Sequence, residues 1–579
     1  MTDGMTARRS LAGSSAAAAL AAALAAFAAP AAALDRPADP VVVSGAKAPA
    51  LLGAEPGKVV AFAWRRSRWR QIPVQVDERK LVDLRAAYPA SVDCGGKPLC
   101  YRPTSTGPQL RYADPRTLIG PDPDARVDSD DEVALMARDT GSRAPAGTPR
   151  PPRVVTGLRQ ELAVTDPLTR SRAYVYLFRS RGGLRQGAGK SYVDYRFRPG
   201  GGIYPAGYSF ASGPNPESST VTTPYYRRFF ADRWRESGAR ITAPGATGVN
   251  VLDRNEAQFS PDFCGRSTLT FALGEGAFLG NRSGPVRAIR SVVGANSGPM
   301  SEREHVFYDR RTDETTYLRV HPIPGIMSFW DYSQAASGMR YADNNNPAGV
   351  IVDGRPDSVA AGPLRWESLD GRQGAVTHVF SWESTLPPSA MTSFYRDDAA
   401  ASACPGDADG SFHGASGPWV TAPIGTTDGT NPAERLTARR TTFFDAPGRT
   451  RGPARDREVR SALVVSRPRP ARAAPGRIRL LRLRVTRAGA VRMAVRVNGR
   501  GRVRAAVSRK GGRRVGTTAT KRARAAGTVR LTVRLNRTGR RLARARRRGL
   551  VVRLKLGFRP AAGKATGRSR AVRIRVRRG

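Results

Sequence analysis

The chain has 579 residues and a formal net charge of +49, from 96 lysines and arginines against 47 acidic residues. Residues 459–579 hold 40 of the basic residues and no acidic one, which leaves 56 minus 47, or +9, for residues 1–458. With 40% hydrophobic residues and its 60 glycines and 44 prolines dispersed, the chain is neither collagen-like nor wholly disordered, and its length predicts several domains.

The N-terminus has the three-part pattern of a secretory signal peptide over residues 1–33. Arg8 and Arg9 precede an alanine-rich apolar run at 16–29, and small residues follow at 31–33. Export by the Sec or the twin-arginine route is predicted, with an uncleaved anchor as the alternative. No later uncharged stretch is long enough to span a bilayer, so the sequence predicts a secreted, extracellular protein, retained at the cell envelope or free, with no transmembrane helix after cleavage.

Four cysteines remain after the predicted cleavage, which favours disulfides in an oxidising compartment. Glycine and proline bend the short loop between Cys94 and Cys100, so these two are able to pair. Cys264 and Cys404 would then form the second bond, although three pairings are open. A metal site is disfavoured because no CxxC spacing occurs.

Short apolar runs that alternate with turn residues predict an N-terminal β domain, a barrel or a sandwich, over residues 34–140. A proline-rich stretch at 141–153 separates it from a central β-rich domain at 154–445, for which we expect a large sandwich.

One segment of the central domain has a different pattern. Thr223 and Pro224 provide a cap and a first-turn proline, aromatic residues then recur at helical spacing, and Gly238 ends the run. The spacing predicts a helix packed on a sheet.

A linker rich in proline and arginine is predicted at 446–476, followed by a separate module at 477–579. Valine or leucine alternates there with arginine in several short runs, which predicts six or seven strands of an immunoglobulin-like sandwich whose outer faces carry arginine. The alternation changes phase between Leu480 and Leu481, as at a bulge, and a helical turn is expected at 540–548. The chain is thus predicted to be a mainly β, multi-domain protein.

The charge of this module would attract polyanions such as anionic wall polymers, acidic polysaccharides, phospholipid headgroups or released nucleic acid. Phe558 is its only aromatic residue between 459 and 579, whereas binding to bases requires several aromatic rings for stacking. The expected partner is therefore a polysaccharide or an anionic cell-surface polymer, and no specific nucleic acid. The alternative is that the arginines only solvate the sandwich, but a purely solvating surface would carry both signs of charge.

Candidate catalytic residues gather around a predicted hairpin in the central domain. If the chain turns through 311–314, antiparallel pairing places His321 opposite Glu304 or His305, and the two histidines could act as base and acid or as metal ligands. The catalytic set predicted from this region is Glu304, His305, Tyr308, His321 and Asp331. The plainer interpretation is that these histidines are core or solvated residues at strand ends.

The surrounding segment combines aromatic rings with amides and carboxylates, the two kinds of group that a sugar-binding cleft needs. The predicted substrate-binding residues are Asn296, Trp330, Tyr332, Asp343 and Asn345. A hydrolase would use two of the carboxyl groups, and a lyase would use His305 or Tyr308 beside an arginine. Clustered acidic residues at 122–132 fit calcium in ligand type but lack the spacing of an EF-hand, and a solvated loop is the alternative. Apart from this possible calcium ion, no cofactor is expected.

Two stretches carry a resemblance to a known family: 69–78 together with 128–139, and 284–290. They are similar to secreted bacterial proteins of the exo-rhamnogalacturonan lyase type, in which a β barrel precedes a sandwich, and the resemblance covers residues 40–400. It assigns no catalytic residue to a position in this chain. The C-terminal module resembles arginine-rich terminal sandwich modules of exported actinobacterial proteins, which implies surface association.

These patterns together favour an exported, envelope-associated, glycan-binding β protein with a polyanion-binding C-terminal module. One alternative is a polysaccharide lyase or glycoside hydrolase with its site in the central domain. The other alternative is a structural or adhesive surface protein without catalysis.

Overall fold

The computed structural model of the protein describes residues 33–84, 108–117, 119–157, 159–200, 216–258, 276–294, 301–318, 325–384, 386–400, 411–422, 436–448, 451–468, 476–561 and 564–576. The predicted signal peptide (apart from its last residue) and the predicted disulfides at Cys94, Cys100, Cys264 and Cys404 lie outside these ranges.

The chain divides into two compact units. The large unit comprises Met1–Arg143 and Pro152–Arg467, and the basic unit comprises Ala144–Pro151 and Pro468–Gly579. Both are built mainly from antiparallel strands in several separate sheets, which confirms the predicted mainly β, multi-domain fold. No helix in the described part of the chain is long and apolar enough to cross a membrane.

The first part of the large unit contains β1 (Pro40–Ser44), β2 (Val59–Arg65), β3 (Arg68–Ile72), β4 (Gln75–Asp77), β5 (Arg79–Val82), β6 (Gln109–Tyr112), β7 (Glu132–Met136), β8 (Gln160–Thr165) and β9 (Arg172–Arg179).

The second part of the large unit contains β10 (Asp194–Arg196), β11 (Pro216–Thr222), β12 (Tyr226–Asp232), β13 (Glu236–Ile241), β14 (Leu252–Gln258), β15 (Gly276–Ser283), β16 (Ala288–Gly294), β17 (Ser301–Phe307), β18 (Arg311–Leu318), β19 (Ile326–Tyr332), β20 (Arg340–Asp343), β21 (Val350–Ile351), β22 (Trp366–Gly371), β23 (Gly374–Ser384), β24 (Met391–Asp398), β25 (Phe412–Val420), β26 (Leu436–Asp445), α1 (Gly452–Arg460) and β27 (Val464–Ser466).

A first sandwich is formed by a three-stranded sheet, β1-β7-β4, and a five-stranded sheet, β27-β8-β9-β2-β3. Small aliphatic residues from both sheets, such as Val43, Leu135 and Val175, form one buried core. The segment predicted as a linker contains α1 and β27, and β27 pairs with β8, so this sandwich draws strands from both ends of the large unit. The hairpin β5-β6 lies beside it in sequence as a separate two-stranded sheet.

The second sandwich is built on a nine-stranded sheet, β15-β16-β17-β18-β26-β23-β22-β20-β21. Two four-stranded sheets, β10-β11-β12-β13 and β14-β19-β25-β24, share a core with it. That core is aromatic as well as aliphatic, as Tyr226, Phe307, Trp330 and Phe444 show. Among the candidate catalytic residues, Glu304 and His305 lie on β17, Tyr308 follows β17 directly, and Asp331 lies on β19.

The predicted helix at 223–238 is wrong, because the structure forms the hairpin β12-β13 there. Thr223 Oγ1 does accept hydrogen bonds from the backbone N–H groups of Tyr225 and Tyr226, but they close a turn that leads into β12. Tyr226, Arg228 and Phe230 alternate into the interior. Arg228 is buried and pairs with Glu236 across the hairpin. An arginine at this position suggests an exposed residue from the sequence, but its side chain lies on the buried face of β12.

The basic unit contains β28 (Ile478–Val485), β29 (Val491–Val497), β30 (Gly501–Ser508), β31 (Ala519–Ala523), β32 (Gly527–Val533), α2 (Arg537–Arg544), β33 (Leu550–Pro560) and β34 (Thr566–Ile574).

These seven strands form two sheets, β28-β29-β32 and β31-β30-β33-β34, around a single core of valine, leucine and isoleucine. The strand order is that of an immunoglobulin-like sandwich in which the fourth strand pairs with the third, and α2 lies between the fifth and sixth strands. The register shifts between Leu480 and Arg482, which confirms the bulge predicted from the change of phase. Asn536 caps α2 by accepting a 2.8 Å hydrogen bond from the Gly539 N–H.

Candidate functional site

The hairpin β17-β18 turns through residues 308–310, not through 311–314 as predicted, because the pairing of Phe307 with Thr312 closes it earlier. His305 therefore pairs with Glu314. His321 and Asn296 lie outside the described residues. The hairpin thus gives His305 a carboxylate neighbour that sequence reasoning did not identify.

His305 is a buried residue of the sandwich core. Its Nε2 lies 3.3 Å from Glu314 Oε2, and its ring stacks on Phe307 with 5.6 Å between centroids. Burial lowers the pKa of His305 to about 3, which the neighbouring Glu314 only partly opposes. The imidazole is therefore neutral at physiological pH.

Glu304 and Tyr308 lie on the opposite face of the sheet from His305, since neighbouring residues of a strand alternate between faces. Burial, together with the nearby Glu302, raises the pKa of Glu304 to about 7. Tyr308 is buried and its hydroxyl accepts a 3.5 Å hydrogen bond from Arg287 Nη1. The structure thus brings Glu304 and Tyr308 to the same face and separates both from His305.

Arg287 connects several side chains on the face of the sheet where Glu304 and Tyr308 lie. Its Nε donates to Asp77 Oδ2 at 2.8 Å, and its Nη2 donates to Glu132 Oε2 at 2.7 Å. The backbone N–H of Arg287 also donates to Gln75 Oε1 at 3.0 Å. The two stretches that carry the family resemblance in the sequence, 69–78 and 284–290, therefore meet at Gln75, Asp77 and Arg287.

A glycine permits this meeting. A Cβ atom on Gly284 would lie 2.3 Å from the side chain of Gln75, closer than any ordinary contact. The sequence predicts only that an unspecified arginine would lie beside a lyase base, and it does not single out Arg287, Gln75 or Glu132. The signal that points to them is the presence of polar residues, Gln75 and Asp77 on β4 and Glu132 on β7, on short strands whose other residues are apolar.

Trp330, Asp331 and Tyr332 are all buried on β19. The Trp330 ring lies 4.5 Å from the His378 ring, and Tyr332 Oη lies 3.5 Å from His378 Nε2. Asp331 points to the other face of the strand, with its Oδ2 4.0 Å from Arg254 Nε. Since neither aromatic ring has an exposed face, these rings form part of the core rather than a platform for a sugar.

A second buried histidine, His378, belongs to the same interior. Its Nδ1 lies 2.9 Å from Thr442 Oγ1, and burial lowers its pKa well below the ordinary value. Glu367 is its cross-strand neighbour, and burial raises the pKa of this carboxyl to about 8. Both groups are uncharged at neutral pH.

Asp343 and Asn345 lie in a turn that follows β20. Asp343 Oδ1 accepts hydrogen bonds from the backbone N–H groups of Asn345 and Asn346 at 2.6 and 2.7 Å, and Tyr341 Oη donates to Asp343 Oδ2 at 2.9 Å. The hydrogen bonds of Asp343 therefore fix the turn.

The acidic run at 122–132 forms a series of turns closed by side-chain acceptors. Asp128 Oδ1 accepts from the Asp130 N–H at 3.1 Å, and Asp131 Oδ1 accepts from the Arg79 N–H at 3.0 Å. Among the residues that the structure describes, no group of three or more histidine, cysteine or acidic side chains is arranged to hold a metal ion.

The outer surface of the β28-β29-β32 sheet carries rows of arginine. Antiparallel register places Arg479 beside Arg496 and Arg484 beside Arg492, with threonines of β32 at the end of both rows. All four arginines are exposed. Like charges directly opposite one another destabilise a sheet, and no acidic residue occurs between 459 and 579 to compensate them.

The outer surface of the other sheet is basic as well. Arg502 pairs with Arg522 on one side and with Arg559 on the other, so three arginines lie in one row across three strands. Further along the same face, Arg504, Arg514 and Lys555 surround a hollow of about 340 Å³ that also involves Ala506, Ser508, Gly512 and Gly557. Both sheets of the basic unit thus present unneutralised cations at regular strand spacing.

Comparison with known proteins adds little to this geometry. No protein-family model matches the sequence, and no curated protein matches it either. Among solved structures, the Slr1438 protein from Synechocystis sp. PCC 6803 is similar over 41% of this chain and 98% of its own length, at 9% sequence identity and a TM-score of 0.24. A similarity at that score supports no conclusion about fold or function.

Proposed function

We propose that the protein binds an anionic polysaccharide or a similar cell-surface polymer through the arginine rows of its basic unit, and that this binding holds the large unit at an anionic surface outside the cytoplasm. The observation that carries the proposal is the alignment of exposed arginines across both sheets of a module that has no acidic residue between 459 and 579.

The spacing of the cations suits a polymer better than a single small anion. Neighbouring strands lie about 4.8 Å apart, and successive outward residues on one strand lie about 6.8 Å apart. A flexible chain with repeated carboxylates or phosphates can therefore neutralise several arginines at once, which also relieves their mutual repulsion.

Nucleic acid is the less suitable polymer. The single aromatic residue between 459 and 579, Phe558, is buried in the core of the sandwich, so the described faces offer no ring on which a base could stack.

The burial of the predicted site residues in the large unit favours a structural role for them. His305 and His378 are uncharged, and Trp330 and Tyr332 are covered by neighbouring elements. This arrangement favours the polymer-binding surface of the basic unit over a site at these residues.

The test is the binding of the full-length protein to immobilised polygalacturonate, a uronate polymer, with neutral dextran as the reference. We expect retention on polygalacturonate alone, and we expect the logarithm of the association constant to fall linearly with the logarithm of salt concentration because bound counterions are released. Equal retention on dextran, or retention that does not depend on salt, would refute the proposal.

A quadruple variant identifies the surface. Replacing Arg479, Arg484, Arg492 and Arg496 by glutamine should weaken binding and reduce the salt slope. The matched control replaces four exposed arginines of the large unit, Arg68, Arg70, Arg181 and Arg185, by glutamine. It removes the same charge and should leave binding nearly unchanged.

A further inference from the structure

A narrow pocket lies inside the second sandwich of the large unit, between the nine-stranded sheet and the sheet β14-β19-β25-β24. It is partly open to solvent, and about 40 Å³ of it is wide enough for the centre of a water molecule. Glu314, Thr316 and Leu318 line one wall from β18, and Ile326, Ser328, Pro418 and Val420 line the facing wall.

The pocket changes from charged to apolar along its length. Register places Glu314, Arg440 and Phe380 in one row, Thr316, Ala438 and Trp382 in the next, and Leu318 and Leu436 in the third. Since two residues of a strand span about 6.8 Å, the charged row and the apolar row, which are four residues apart, lie about 14 Å from each other. This gradient fits a slender molecule with one polar end.

Positive charge exceeds negative charge at the polar end. Arg303 Nε and Arg440 Nη1 lie 3.6 and 3.9 Å from the same atom, Glu314 Oε1. His305, the other neighbour of Glu314, is neutral. Two guanidinium groups therefore face one carboxylate in the pocket.

Arg440 has hydrogen-bond donors that are not used. Its side chain is 6% exposed, its Nη2 donates to Ser328 O at 2.8 Å, and its contact with Glu314 is a long ion pair of 3.9 Å. Within the described residues, its Nε and Nη1 have no hydrogen-bond partner. A buried charged donor left unpaired is costly, and an anion at this position would remove that cost.

We propose that this pocket binds a slender alkyl carboxylate, with the carboxylate at Arg440 and the alkyl chain along Ala438 toward Leu318 and Leu436. Carboxylate is the favoured head group because a single negative charge balances the excess at Arg303, Arg440 and Glu314. The narrow apolar end excludes bulky sugars and ring systems. This site is independent of the arginine rows in the basic unit.

Octanoate is the probe, added to the full-length protein at high salt so that exposed arginines are screened while the buried pair is not. Trp382 lines the pocket, and all seven tryptophans of the chain belong to the large unit, so fluorescence reports binding there. We expect saturable binding of octanoate and none of octylamine, which has the same chain and the opposite charge. Absence of saturable octanoate binding, or equal binding of octylamine, would overturn the proposal.

Two variants separate a ligand site from a structural charge cluster. Arg440→Gln should weaken octanoate binding about tenfold or more, since a charge-assisted hydrogen bond contributes that much. Ala438→Phe leaves Arg440 in place and fills the middle of the pocket, so it should also abolish binding. Because the Phe variant keeps the charged row intact, it remains informative if the Gln variant does not fold.

The control is Arg68→Gln. Arg68 is an exposed arginine of the large unit and is not among the residues that line the pocket, so its loss should leave octanoate affinity within about twofold. Unchanged affinity in Ala438→Phe would show that octanoate binds elsewhere and would refute the assignment of the pocket.

Discussion

Arginine has two different roles in this chain, and the presence or absence of a facing carboxylate distinguishes them. In the large unit Arg228 is buried against Glu236, and Arg287 is buried against Asp77 and Glu132. In the basic unit arginine faces arginine. The sequence alone does not separate these cases, because the residue type is the same in a buried ion pair and on an exposed surface. His305 gained its unforeseen neighbour Glu314 for a different reason, since the hairpin turns earlier than the sequence predicts.

The buried Glu367 gives the large unit a pH dependence that can be measured. Burial raises its folded-state pKa to about 8 from 4.5, so the contribution of its protonated form to stability is complete below pH 4.5 and is lost as the pH rises through 8. Glu367→Gln cannot ionise. We therefore expect the difference in the free energy of unfolding, variant minus wild type, to increase by up to about 1.4 kcal/mol per pH unit between about pH 5 and 8.

Urea unfolding followed by tryptophan fluorescence measures this difference in the large unit alone, where all seven tryptophans lie. Glu383→Gln is the control, since Glu383 is exposed. Its replacement should change the free energy of unfolding by the same amount at every pH. A flat difference for Glu367→Gln too would mean that this carboxyl is already ionised in the folded protein.

At the scale of single elements, the basic unit was more predictable than the large unit. Its strands alternate valine or leucine with arginine, and the burial of Val491, Met493, Val495 and Val497 follows that alternation. The helical turn expected at 540–548 is present as α2, three residues earlier. In β12 the same alternation exists, but Arg228 occupies an inward position, so the aromatic spacing suggested a helix instead.

The helix α1 and the strand β27 belong to the large unit although they lie beyond its last long strand. Arg455 of α1 donates two hydrogen bonds to Asp445, at 2.9 and 2.8 Å, and β27 completes the edge of the first sandwich beside β8. A truncation after Arg467 keeps these contacts, whereas a truncation after Ala454 leaves Asp445 buried without its cation.

We expect the chain that ends at Arg467 to unfold at a higher urea concentration than the chain that ends at Ala454. Loss of one partner of a buried ion pair costs about 3–5 kcal/mol, and the exposed edge of β8 adds to that cost. Tryptophan fluorescence in urea measures both proteins. Equal midpoints would show that α1 and β27 do not stabilise the large unit.

At the scale of the whole molecule, the two units differ in how they respond to ions. Residues 1–458 carry a net charge of +9 and pair buried arginines such as Arg228 and Arg287 with carboxylates, while residues 459–579 contain no acidic residue. The tail charge and the mainly β fold could be predicted from composition and alternation. The pocket at Arg440 could not be predicted. Its walls come from two sheets, and strand pairing brings together residues that are far apart in the sequence, such as Glu314 and Arg440.

Salt should therefore stabilise the basic unit selectively. Raising sodium chloride screens the repulsion between facing arginines, so we expect amide hydrogen exchange in residues 476–561 to slow several-fold. Exchange in residues 159–200 of the large unit should change little. Exchange is measured by mass spectrometry on the intact protein. Equal slowing in both ranges would show that repulsion between arginines does not limit the stability of the basic unit.

The two arginine-bearing sheets of the basic unit lie back to back around one core, about 10 Å apart. A thin slab that is basic on both faces can hold one polymer chain on each side, so a single molecule would cross-link two chains. Mixtures with a soluble polyanion should then be most turbid near charge balance and clear again when the polymer is in excess, because each slab is then coated by separate chains. Such a protein would tighten the polymer network to which it is attached.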